Sequence, residues 1–188
     1  MTIKNSPEQL DVMAMAKSNG SLAIHLTREA DAVALSRQFS RLQADACEPE
    51  GLSLVSYQAE AECRPGPSGN VQPWLHLEAS ATLRLICQRC LSPADIPVAA
   101  EQWFRFVADE ATAEAEDDDC EEDVLALESR FNLTHLVEDE LLMAIPLVPM
   151  HDVCPVEVPT SAGEDEFQAV METRPSAFAA LSQLKKPG

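Results

Sequence analysis

Two short half-motifs carry most of the chemistry in this chain: Cys87-Gln88-Arg89-Cys90 and, further along, His151-Asp152-Val153-Cys154. A two-residue gap lets both thiols of a Cys-x2-Cys pair point to one side of a turn. Three readings suit that arrangement. A redox pair places its nucleophilic thiolate at a helix N-terminus, yet Cys90 is followed by Leu91-Ser92-Pro93 and another β-rich run. Two neighbouring cysteines are also often just small, buried apolar residues. A structural zinc site needs four soft donors in a tetrahedron, and a His-x2-Cys pair would complete the set. Cys87, Cys90, His151 and Cys154 are therefore the candidate ligands of one structural zinc ion, with the other two readings left open. Cys47, Cys63 and Cys120 lack such neighbours, and Cys120, set in an acidic run, is expected to be exposed.

A catalytic centre is hard to assemble from the remaining residues. The chain has six glycines and no Gly-rich phosphate loop, GxSxG or HExxH. His25, His76 and His135 stand alone and read as surface or hydrogen-bonded histidines. Glu138-Asp139-Glu140 could mimic an acid/base or metal-binding pair, but a solvated helix face is the simpler reading. No enzymatic activity and no small-molecule substrate are expected.

Charge narrows the partners. The chain carries 32 acids against 13 bases, a formal charge of −19. Phosphate binding draws on Lys and Arg, and base stacking draws on aromatics, of which there are nine. Autonomous RNA binding is disfavoured and a basic partner favoured. Residues 109–123 hold ten acids and no base, so like-charge repulsion predicts a solvated, mobile loop. No apolar run approaches the roughly 20 residues a membrane helix needs. The first residues lack a signal-peptide core, so a cytoplasmic location is expected. Six cysteines in a reducing compartment do not make a disulfide framework.

The elements that must position the thiols follow from periodicity. Residues 1–20 are polar and read as a flexible arm. Residues 21–26 alternate as a strand, and Thr27 offers an N-cap to a helix with Val33, Leu35, Phe39 and Leu42 on its apolar stripe. Arg37 and Arg41 fall on its wet side. Strands are expected over 52–62, 71–86 and 95–107; in the second, Leu75, Leu77, Ala79, Ala81, Leu83 and Leu85 keep strict period two. Three adjacent strands joined by turns predict an antiparallel sheet, open or curled like a barrel, packed with a few helices in an α+β domain spanning residues 21–154. A short edge strand is expected within 124–131. Asn132 should cap a helix that Pro146 stops near Ala144. Residues 155–188 read as a linker and a short terminal helix carrying Phe178 and Leu181.

Three stretches together, LICQRCL at 85–91, LVEDELLMAIPLVPMHD at 136–152 and RPSAFAALSQLKK at 174–186, resemble the bacterial YceD proteins, described as large ribosomal RNA subunit accumulation proteins. The resemblance runs from about residue 20 to 186. It implies a non-enzymatic role in ribosome biogenesis, supporting accumulation of large-subunit ribosomal RNA, and an α+β fold with an antiparallel sheet. It also implies a fuller cysteine-rich segment near the C-terminus, of which this chain keeps His151 and Cys154.

Joined to the charge, the resemblance points to a basic ribosomal protein or assembly factor as partner, with contact to ribosomal RNA indirect. Glu138, Asp139 and Glu140, with Phe178 and Leu181, are candidate contacts. The alternative is direct RNA binding or processing by a local patch of Arg84, Arg89 and Arg105 around the Cys-x2-Cys turn.

Overall fold

A computed structural model describes residues 7–66, 69–118 and 120–157; a first compact unit closes at Val153. The elements in chain order are α1 (Val12–Lys17), β1 (Ser21–Thr27), α2 (Arg28–Gln38), α3 (Ser40–Asp45), β2 (Leu52–Pro65), β3 (Val71–Ile86), β4 (Pro93–Val107), α4 (Glu110–Asp117), β5 (Asp123–Ala126) and α5 (Leu133–Met143). The strands form one sheet in the order β1-β2-β3-β4-β5. The first four pair antiparallel, and β5 pairs parallel to β4. The class is α+β, as expected, with the sheet left open instead of closing into a barrel.

Period-two alternation built the core. Leu75, Leu77, Ala79, Ala81, Leu83 and Leu85 are all buried, on the face against which α1, α3 and α5 pack. Each buried leucine contributes about 2 kcal/mol. Leu35, Phe39, Leu42, Val137 and Leu141 from the helices are fully enclosed. Thr27 caps α2 by accepting from the Ala30 N–H, and Asn132 caps α5 by accepting from His135. Helix α5 ends at Met143 with Ala144 as its C-cap, as Pro146 required.

The described residues differ from these expectations in four places. The residues expected to form a flexible arm are packed from Leu10 onward. Asp11 caps α1, and Leu10, Val12, Met15 and Ala16 are buried. Leu10 exchanges two backbone hydrogen bonds with Phe131, so residues 10–17 join the domain.

The acidic run is not a mobile loop among its described residues. Asp109 caps α4, whose Ala113 packs with Val107 and Val124, Cys120 lying against that cluster. Arg105, 4% exposed, donates to Glu116 at 2.5 Å and Glu122 at 2.8 Å. One buried cation thus offsets the repulsion that a charge count predicts. Because the connection crosses over through α4, the edge strand arrives parallel to β4, as crossovers do.

The expected single helix after Thr27 breaks at Phe39 into α2 and α3. Val33, placed on its apolar stripe, is 82% exposed. Finally, Glu138 does not lie on a solvated face. It is 2% exposed and sits against α3.

Candidate metal centre

The hairpin between β3 and β4 is closed by a tight knuckle. Leu91 N–H donates to the Cys87 carbonyl at 2.9 Å, and Cys87 N–H donates to Ser92 at 3.0 Å. Leu91 takes φ 59°, the left-handed region that favours glycine. This turn presents Cys87, fully buried, and Cys90, half-buried, to one side. The segment after α5 runs beside it. Gln88 N–H donates to the Pro149 carbonyl at 2.8 Å, and Arg89 reaches the His151 carbonyl at 3.3 Å. These two bonds carry His151 over the knuckle.

The four predicted ligands come together. One donor atom each from Cys87, Cys90, His151 and Cys154 lies within 4.8 Å of the others. His151 Nδ1 stands 3.4 Å from Cys90 Sγ. A tetrahedral zinc with ordinary Zn–S and Zn–N bonds places such a pair about 3.5 Å apart. The other ring nitrogen, Nε2, lies 3.1 Å from the Pro93 carbonyl. A carbonyl only accepts, so Nε2 carries a proton, and Nδ1 is the ring nitrogen that faces the thiols. Metal-binding histidines are commonly oriented in this way.

The electrostatics suit thiolates. Burial pushes the Cys87 thiol up, but backbone hydrogen bonds from Cys90, His151 and Arg89, with the His151 ring, bring it down to about 5. The His151 imidazole is raised, first by its hydrogen bond to Cys87, against the opposing effect of burial. Cys90 Sγ also contacts Ser92 Oγ at 2.9 Å. Three sulfurs and one imidazole are the donor set of a structural zinc site. Cys90 opens no helix, because β4 follows it directly.

The other candidates are dispersed. Arg84 donates to both Asp95 oxygens, at 2.8 and 3.0 Å, and also pairs with Glu48. Arg105 is enclosed by its acids, and of the proposed basic patch Arg89 alone has no carboxylate partner among the described residues. Glu138 accepts from the N–H groups of Arg41 and Leu42 and from Arg41 Nε. Asp139 binds the same guanidinium at 2.5 Å. Burial and the charges of Asp123 and Asp139 raise Glu140. Phe178 and Leu181 lie outside the described residues. Residue pattern did not single out Ser92 or the Pro93 and Pro149 carbonyls, because their roles depend on chain segments meeting.

Two comparisons bear on this arrangement. The family model described as large ribosomal RNA subunit accumulation protein YceD matches residues 75–185. That interval contains the knuckle, α5 and the His-x2-Cys pair. The large ribosomal RNA subunit accumulation protein YceD of Haemophilus influenzae is 37% identical over 109 residues, which span 54% of this chain and 59% of that relative. No solved structure matches the chain. With the model matching more than half of its residues, the chain belongs to the YceD family.

Proposed function

We propose that this protein is a non-enzymatic ribosome biogenesis factor that supports accumulation of large-subunit ribosomal RNA through contact with a basic ribosomal protein or assembly factor. The observation that carries the proposal is family membership in a chain of charge −19. A body this acidic repels bare RNA and attracts the basic proteins that RNA must meet during assembly. The pairing of Arg84 and Arg105 with neighbouring acids favours this route over direct RNA binding.

The Cys3His set would hold one structural zinc. Cys87, Cys90, His151 and Cys154 supply the ligands, and the ion would tie the segment after α5 to the hairpin. The Pro93 carbonyl holds the His151 tautomer, and the backbone around the knuckle keeps Cys87 ready as a thiolate.

A pull-down of the tagged protein after RNase treatment should recover basic large-subunit proteins. Recovery of RNA alone, with affinity falling steeply as salt rises, would replace this reading with direct RNA binding. Metal analysis after mild chelation should find about one zinc per chain and much less in Cys87→Ser. Wild type without zinc would remove the metal assignment.

A further inference from the structure

The helices α1, α3 and α5 cover one face of the sheet. The second face is covered at its β4–β5 corner, where α4 lies over Arg105, Val107 and Val124. Across β1 to β4 it is open. Strand register sets Ser56, Ser80 and Ala99 in one row across three strands, and Gln58, Glu78 and Glu101 in the next. Together with Ala23 and His25 of β1, these rows line a trough of about 590 Å³. Its width over four strands is about 15 Å, the reach of roughly five extended residues.

Three features define what such a trough would accept. First, Glu60, Glu78 and Glu101 have no Lys or Arg ion pair among the described residues. Arg64 and Arg84 on the same face pair with Glu62 and with Asp95. The face therefore keeps uncompensated negative charge. Second, an aromatic group borders the acids. His76 stacks on Trp103 with centroids 4.5 Å apart and donates from Nε2 to the Glu101 carboxylate at 3.2 Å. Third, this border already holds a guanidinium. Arg64 lies 4.0 Å over Trp103 and 4.5 Å over Trp74, with Glu62 at its Nε. Ring face and carboxylate together are what bind an arginine side chain. Phosphates would meet carboxylates here, so the charge selects against RNA.

We propose that the open face of β1–β4 is a docking surface for an arginine- and lysine-bearing segment of a protein partner. Aliphatic stems would lie in the trough, and cationic heads would reach Glu60, Glu78 and Glu101. The inference rests on the basic-partner reading above and adds the surface it uses.

Trp74 and Trp103 are the chain's two tryptophans and both lie on this face, so fluorescence reports it directly. The probe is a synthetic peptide of about twelve alternating Arg and Ala residues, long enough to cross the trough, added to the full chain. A saturable change in emission is expected. Glu78→Gln with Glu101→Gln should weaken binding about tenfold. Glu110→Gln with Glu114→Gln, the same charge change on the exposed side of α4, should weaken it less than about twofold. Thermal unfolding confirms that both variants are folded. Equal losses in the two pairs, binding without a tryptophan response, or tighter binding of an oligouridylate would each overturn the proposal. Should the face variants leave the RNase-treated pull-down intact, the surface falls and the partner stands; an empty pull-down removes both.

Discussion

Replacing Glu138 by alanine tests how α5 and α3 are joined. Helix α3 begins after Phe39, which supplies no side-chain cap. The missing cap comes from 97 residues away. Glu138 Oε1 accepts from the Arg41 N–H at 2.7 Å and from the Leu42 N–H at 3.2 Å, while Oε2 accepts from Arg41 Nε at 2.8 Å. The carboxylate thus serves as N-cap, as charge at the positive end of a helix and as ion-pair partner. Loss of a cap costs about 1–2 kcal/mol, and a hydrogen bond to a charged group contributes about 1.5–3. The three contacts share one side chain and do not add. Glu138→Ala should therefore lose about 3–4 kcal/mol, in the range for breaking a buried pair. Glu138→Gln keeps an acceptor and should lose about half as much. Arg41→Ala should lose only about 1 kcal/mol, because its side chain is 48% exposed and the backbone caps survive. Urea unfolding followed by circular dichroism measures all three, with an unchanged denaturant slope confirming a shared mechanism. A Glu138→Ala loss below about 1 kcal/mol, or one equal to that of Arg41→Ala, would refute the capping role.

Arg105→Met should destabilise the protein by about 2–3 kcal/mol and increase hydrogen exchange in α4, since it removes the cation between Glu116 and Glu122; unchanged exchange would show that apolar packing alone holds the acidic segment. Leu91→Gly should be neutral or stabilising by up to about 1 kcal/mol, because residue 91 has φ 59° and its side chain is 73% exposed; a loss in chemical denaturation would contradict this. Tyr57 is the only tyrosine in the chain, and burial raises it from 10.0 to about 12. Its contribution to stability is complete below pH 10 and is lost as pH rises through about 12. Tyrosinate absorbance should follow that folded value, and Tyr57→Phe should flatten the alkaline fall in unfolding free energy.

Local pattern alone determined the four antiparallel strands, the caps at Thr27 and Asn132, and the two half-motifs Cys-x2-Cys and His-x2-Cys. Each is written in period-two burial, in a single side chain's reach to nearby N–H groups, or in ligand type at fixed spacing. These signals act over a few residues or repeat along one element. Tertiary structure decided what charge means at each position. Glu138 and Arg105 look like surface residues when counted, yet each is buried against its counter-charge. Both pairings depend on elements meeting in space, and a charge's free energy depends on its surroundings more than on its neighbours in the chain. The packed helix at residues 12–17, the open aromatic face and the approach of His151 to the knuckle are of the same kind.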